Sequence, residues 1–217
     1  MKMKMRKSLA KKGYKNDYGV RIPGVTTITG MLAKPALIPW ANKMGLKGID
    51  ISKYVDDLAQ VGKLAHSMVE HYLLGTKADT SDYSKNQISL AENAMLKFLA
   101  WEKENDLKVI RVELRLISEQ HQFGGTCDIY CKLNGRYTLI DLKTSKGIWP
   151  DMFTQVAAYC MLLRENGYQV DDVRILRIGR DESEGFEDVK VPLLDLHWEK
   201  FLACLDIYNL NKQLTKH

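Results

Sequence analysis

The sequence predicts one mixed α/β domain, and three observations predict it. Apolar residues recur at helical spacing through the first hundred positions, the pattern switches to period two near Lys108, and strand and helix signals then alternate towards the C-terminus. No internal repeat, low-complexity tract or clear linker interrupts the 217 residues. The expected organisation is a basic arm over 1–15, free to be flexible, followed by a single domain over 16–217.

Taken in order, the β-branched run Val25 to Ile28, bounded by Pro23, Gly24 and Gly30, reads as a short strand or a turn entering a helix. "PALIPWANKMGLKG" reads as a brief helix opened by Pro39 and closed in the Gly45 to Gly48 region. In "DDLAQVGKLAHSMVEHYLL" Leu58, Val61, Leu64, Ala65, Met68 and Tyr72 form one apolar stripe. A polar loop leads to a second helix, "QISLAENAMLKFLAWEKEN". "KVIRVELRLIS" then alternates Ile110, Val112, Leu114 and Leu116 with Arg111, Glu113 and Arg115, as a strand with one wet face does. "GGTCDIYCKLNGRYTLIDLKTS" reads as a hairpin, because Asn134-Gly135 between two β-rich runs selects a two-residue turn. Pro150 and Asp151 open a helix that Gly167 stops; two more strands, "DVRILRIG" and "EDVKVPL", and a closing helix, "HWEKFLACLDIYNLNKQL", complete the chain.

Composition narrows the class. Hydrophobic content of 45% and charged content of 27% are those of a soluble globular protein. No run of eighteen apolar residues exists, so no membrane-spanning helix is expected. The basic start is not followed by the apolar core of a signal peptide, and the expectation is a protein that stays inside a cell. Cys127, Cys131, Cys160 and Cys204 show no paired spacing, which argues against a zinc knuckle or a disulfide framework. Seven of the 32 Lys and Arg residues lie in 1–15, leaving 25 against 27 acids in the rest. That basic arm reads either as an attractor of phosphates or as a solvated terminus.

The hairpin gathers chemistry. With Asn134-Gly135 as the turn, Leu133 faces Arg136, Lys132 faces Tyr137, Tyr130 faces Leu139, and Asp128 faces Asp141. Directly opposed residues have β-carbons roughly 4.5–5.5 Å apart, where like charges are destabilising unless compensated. Two compensations are open: a shared proton, or a divalent cation bridging both carboxylates, for which Mg²⁺ is suited. Lys143 follows Asp141 on the same face, where its ammonium could serve a phosphate or an attacking water. A one-residue slip of register would separate the pair and leave each acid on a solvated face.

Other residues could complete the site. Gln155 and Tyr159 lie four apart on one helix face, away from the stripe of Phe153, Val156, Cys160 and Leu163. Gly62, His66 and Glu70 make a stripe at four-residue spacing, in which His66 is a metal-ligand candidate or a partly buried surface residue. Glu113 is a further candidate acid, or a charge that protects an edge strand.

In order, "GKLAHSMVE", "VELRL", "GGTCDIY", "LIDLKTSK" and "QVAAY" resemble the PD-(D/E)XK nuclease superfamily, in its RecB-like exonuclease branch, which includes phage exonucleases and mitochondrial genome maintenance exonuclease. The match covers residues near 60–160. The lead-in "IPGVTTITGMLAKPALIPWA" also resembles a PSVTTIL-type segment, with Gly24 where serine is usual. The resemblance implies a central mixed β-sheet flanked by helices, a restriction-endonuclease-like core with an N-terminal helical elaboration. It implies a metal set of His66, Asp128, Asp141 and the Leu142 carbonyl, with Mg²⁺ or Mn²⁺ as cofactor. It makes Asp128, Asp141, Lys143, Gln155 and Tyr159 the catalytic positions, Gln155 and Tyr159 placing the lysine and the DNA. Trp40 and Tyr72 are candidates to stack on unpaired bases, or core residues.

Two departures stand out: Asp141 occupies a position where glutamate is commoner, and the iron–sulfur arrangement of cysteines is lacking, so no cluster is expected. The implied activity is metal-dependent DNA exonuclease hydrolysis at single-stranded or duplex ends, in recombination, repair or replication. The implied compartment is the cytoplasm, that of the host if the protein is phage-encoded. A structure- or sequence-specific endonuclease on the same core, or a non-catalytic DNA-binding subunit, is the alternative.

Overall fold

A computed structural model describes residues 13–215. Of the basic arm expected over 1–15, residues 1–12 lie outside the described residues, and Tyr14–Lys15 form strand β1, paired antiparallel with β2 (Arg21–Ile22). Helices α1 (Val25–Thr29), α2 (Leu37–Gly45), α3 (Ile51–Leu73) and α4 (Lys85–Lys103) follow. Strands β3 (Leu107–Ser118), β4 (Phe123–Leu133) and β5 (Arg136–Lys143), helix α5 (Pro150–Glu165), strands β6 (Asp172–Ile178) and β7 (Phe186–Lys190), and helix α6 (Leu194–Leu214) complete the order.

The five strands β3 to β7 lie side by side in sequence order. Only β5 and β6 run parallel, because α5 carries the chain back across the sheet between them, and the sheet is therefore mixed. Its two faces are both covered. Leu139 and Ile175 look towards α1, α5 and α6, whereas Ile140, Leu142 and Leu176 look towards α3 and α4. Period two explains the split: neighbours along a central strand enter opposite layers, so β5 carries apolar residues into both, at Leu139, Ile140 and Leu142. Each such Leu or Ile contributes about 1.5–3 kcal/mol by leaving water. Among the described residues no helix is long and apolar enough to cross a membrane.

Several local expectations change. The Val25 to Ile28 run is helix α1, not a strand, with Val25 and Ile28 inserted in the core. Helix α2 starts two residues before Pro39, which occupies the first turn, where a missing N–H costs no intrahelical bond. In α3 Val69 is fully buried while Tyr72, placed in the stripe by spacing, is 45% exposed. At the last turn of α3 the Tyr72 ring meets the edge of Phe98 and its hydroxyl donates to Glu102 Oε2 at 2.7 Å, both on α4. Helix α4 is opened by Ser84, whose hydroxyl accepts from Gln87 N while Gln87 Oε1 accepts from Ser84 N.

The "GG" of "GGTCDIY" is explained by close approach from two sides. A β-carbon on Gly124 would lie 2.3 Å from Cγ of Tyr14, and one on Gly125 would lie 2.7 Å from both the Tyr159 ring and Leu162 Cδ1. Tyr14 is held there by its hydroxyl, 2.9 Å from Thr126 Oγ1, and by the Arg115 guanidinium 4.1 Å over its ring. Overpacking of this kind costs about 1–3 kcal/mol. Gly124→Ala is expected to lower Tm by roughly 2–10 °C, and Tyr14→Ala in the same chain to recover part of that fall. Unchanged melting of Gly124→Ala would contradict the packing described.

Candidate functional site

The site grows out of the β4–β5 hairpin. Asn134 and Gly135 both take positive φ, 49° and 82°, which a type I′ turn requires. The register follows the count made from the sequence: Leu133 faces Arg136, Lys132 faces Tyr137, Tyr130 faces Leu139, and Ile129 faces Ile140. The ladder ends at that pair, one step short of Asp128 and Asp141. Leu142 N donates to Asp128 Oδ2 at 2.8 Å, so the carboxylate has taken the place of a backbone acceptor.

On its other side β4 pairs Val112 with Ile129 and Leu114 with Cys127, skipping Glu113 and Asp128. Glu113 has φ of 49°, in the left-handed region that a non-glycine residue rarely occupies. The alternation of β4 breaks at the same level. Cys127 and Tyr130 belong to the layer of α5 and α6, and Ile129 and Cys131 to that of α3 and α4. Strict alternation, assumed in reading the sequence, therefore fails at Asp128, which turns out of the pleat towards α3.

Helix α3 supplies the facing group. His66 Nδ1 is 3.6 Å from Asp128 Oδ2, and donor atoms of His66, Glu113 and Asp128 all lie within 4.8 Å of one another. Gly62, one turn earlier, lets α3 come close: a β-carbon there would meet Thr144 Oγ1 at 2.8 Å. A cleft of about 360 Å³ opens beside them, lined by Gly62, Lys63, His66, Glu70 and Glu113 among others.

Asp141 lies deeper, 1% exposed, in ion-pair contact with Lys143 Nζ. Apart from that ammonium, Asp141 Oδ2 has no hydrogen-bond donor among the described residues. Lys143 and Asp141, expected on one face of the strand, are paired in the structure. Beside Lys143 in the parallel register stands Arg177, absent from the sequence-derived list. Its Nη1 reaches the carbonyls of Ser145, at 3.5 Å, and Glu184, and its Nη2 donates to Glu187 Oε1 at 2.8 Å, fixing the segment after Lys143. Only the β5–β6 pairing reveals that position.

Charge crowding sets the protonation states. Burial, and next the Lys143 ammonium, push His66 down to about 4 against the opposing Asp141 and Leu142 carbonyl, so the imidazole is neutral at pH 7. Its contact with Asp128 is then not an ion pair. Burial pushes Asp141 up to about 6, with Asp128 adding and Lys143 opposing. Asp128 is also raised by burial, against Lys143 and the Leu142 N–H. Glu113 is pushed up to about 8 by desolvation and then by Asp128, Glu70 and Asp141. Because Glu113 keeps an exposed face, the neighbouring carboxylates are the firmer cause. Lys143 loses proton affinity to burial and regains more from Asp141 and Asp128, so it remains an ammonium.

Gln155 and Tyr159 do not lie on a free helix face. Helix α5 is enclosed between the sheet and α6, and Tyr159 is a core residue at 6% exposure. Gln155 Nε2 donates to the Tyr159 hydroxyl at 2.9 Å. Burial, then Asp141 and Asp128, push that phenol well above its ordinary range, so it stays neutral. Trp40 is half-buried with its ring 6.3 Å from that of Tyr54. Cys127 and Cys131 on β4, Cys160 on α5 and Cys204 on α6 are buried free thiols.

These groups fit a divalent cation. A neutral imidazole, two adjacent carboxylates and the raised carboxyl pKa values are relieved together by one divalent charge, the carboxylates suiting a hard cation and the imidazole a borderline one. The pH dependence follows by sign. Asp141 and Glu113 hold protons in the folded chain that the unfolded chain has released, so without cation their contribution to stability falls as pH rises through about 6 and about 8. A cation must displace those protons, and its affinity rises over the same window. Mn²⁺ at a hundred times its pH 6 Kd is expected to stabilise by about 2.7 kcal/mol at pH 6, and the same concentration to give a larger Tm increment at pH 8. Equal increments at both pH values would contradict the donor set.

No protein-family model matches the chain, and no curated protein does. Among solved structures, an alkaline exonuclease (LHK-Exo) from Laribacter hongkongensis aligns with TM-score 0.33 and 13% identity over 73% of this chain and 91% of that one. LHK-Exo in complex with dAMP aligns with TM-score 0.32 and 14% identity over 74% and 91%. The structure titled SSO0001 aligns with TM-score 0.30 and 17% identity over 69% and 74%. Likeness at this level carries no argument about activity, which rests on the residues of the site.

Proposed function

We propose that the chain is a divalent-cation-dependent deoxyribonuclease that hydrolyses phosphodiester bonds at DNA ends, an exonuclease serving recombination, repair or replication. The observation that carries the reading is the convergence of His66, Glu113 and Asp128 beside the Asp141–Lys143 pair, at the end of one hairpin. The order of the motifs along the chain, similar to RecB-like nucleases, supports it. His66, Asp128 and Glu113 would hold the cation, with Asp141 and the Leu142 carbonyl as its inner donors. When bound, Mg²⁺ or Mn²⁺ supplies Lewis-acid charge to the phosphate undergoing attack.

The chain's own groups do the rest. Lys143 keeps its proton, so it acts as a donor to a phosphate oxygen or to the attacking water and not as a base. Asp141 holds that ammonium in place, and Arg177 anchors the segment that follows it. Asp128 bonds the Leu142 N–H and so fixes the backbone between Asp141 and Lys143. Gln155 and Tyr159 back the site as one hydrogen-bonded unit, with the neutral phenol close enough to feel both aspartates.

The test is incubation of 5′- and 3′-labelled single- and double-stranded DNA with Mg²⁺, Mn²⁺ or EDTA, beside a covalently closed circle. Cation-dependent loss of label from linear DNA with the circle intact is expected. Cleavage of the circle would favour an endonuclease on the same core, and no cleavage of any substrate would overturn the proposal.

A further inference from the structure

The segment from Thr144 to Trp149 links the lysine of the proposed site to helix α5 and ends in an exposed indole. Trp149 is 54% exposed, six residues beyond Lys143, which is at most roughly 20 Å of extended chain. Its neighbours Ile148, Met152 and Phe153 pack on the core, whereas Trp149 is absent from both core clusters. The ring leans on the backbone of Gly147, where a β-carbon would sit 3.6 Å from the indole.

Trp149 also occupies the N-cap of α5, with extended backbone, and makes no side-chain cap. Ser, Thr, Asp or Asn there would accept a bond from the first turn, and tryptophan cannot. Departures from such local rules concentrate at functional positions. The surroundings are those of a site rim. Asp151, two residues on, is close enough to the Lys143 ammonium to add to its proton affinity, and it pairs with Lys34 at 2.7 Å, which ties the segment before α2 to the same edge. Lys146, three residues before the indole and exposed, makes no ion pair among the described residues.

We propose that Trp149 is a stacking platform for one unpaired nucleobase of the DNA strand entering the site, with Lys146 facing the strand's phosphates. An indole offers a large π-face to any base, so this contact binds without selecting sequence. The inference rests on the reading of the chain as a deoxyribonuclease.

The experiment measures binding of a short fluorescein-labelled single-stranded deoxyoligonucleotide by anisotropy in EDTA, for the full chain, Trp149→Ala and Trp149→Phe, with single abasic substitutions placed along the strand. Trp149→Ala is expected to weaken binding at least roughly fivefold, and Trp149→Phe to stay within about twofold of the wild type. One abasic position should weaken the wild type similarly and cost Trp149→Ala nothing further. Wild-type affinity in Trp149→Ala, failure of phenylalanine to restore binding, or equal abasic penalties in both proteins at every position would overturn the stacking role. If cation-dependent digestion persists in that case, the nuclease reading stands without it. A wild type that neither binds nor cleaves DNA overturns both.

Discussion

Lys143→Met is expected to cost the folded protein and the reaction together. Asp141, 1% exposed, would lose its counter-charge, and removing one partner of a buried pair costs about 3–5 kcal/mol. The penalty has a pH signature. Asp141 already titrates at about 6 with Lys143 beside it; without the ammonium its affinity for a proton rises further, so the Tm deficit should grow as pH rises from 5 to 8. Adding Asp141→Asn removes the uncompensated charge and should return much of the stability, measured by thermal unfolding. It should return none of the hydrolysis, which is expected to fall roughly 10²–10⁴-fold in either variant. A double variant that regained cleavage would show that Lys143 serves packing only.

Asp128→Ala is expected to separate stability from function more cleanly. The substitution takes the acceptor from Leu142 N, a loss of about 1–3 kcal/mol if the N–H stays dry. It also relieves the like charge that raises Glu113 and Asp141. These oppose, so cation-free melting should change little. What disappears is the donor shared between His66, Glu113 and the strand end. The Mn²⁺-dependent rise in Tm should vanish, and hydrolysis should fall roughly 10³-fold or more. Persistence of the Mn²⁺ effect would move the cation away from Asp128.

The hairpin was legible because its turn chemistry is local: Asn134-Gly135 dictates positive φ at both residues, and from that the pairing follows by counting as far as Ile129 and Ile140. The helices were legible by period, with errors at ends where packing decides, as for Tyr72 against Val69. What the sequence did not carry was the break in alternation. Glu113 and Asp128 leave the pleat together, a cooperative distortion of two strands that no single-strand pattern encodes. The burial of Tyr159 was hidden for a similar reason, since a helix enclosed by the sheet and α6 has no free face on which to sort polar from apolar. Arg177 needed a parallel register set by a crossover, and it reads from the sequence as one more strand charge.

In the proposed deoxyribonuclease the lysine, the carboxylates and the cation meet at Asp141. The direct measurement is Mn²⁺-dependent release of nucleotides from end-labelled linear DNA by the wild type and Asp141→Ala side by side. Both proteins are first shown to be folded by their melting curves. Release by the wild type that EDTA abolishes is expected, and none above background from Asp141→Ala. Equal release by the two would contradict it.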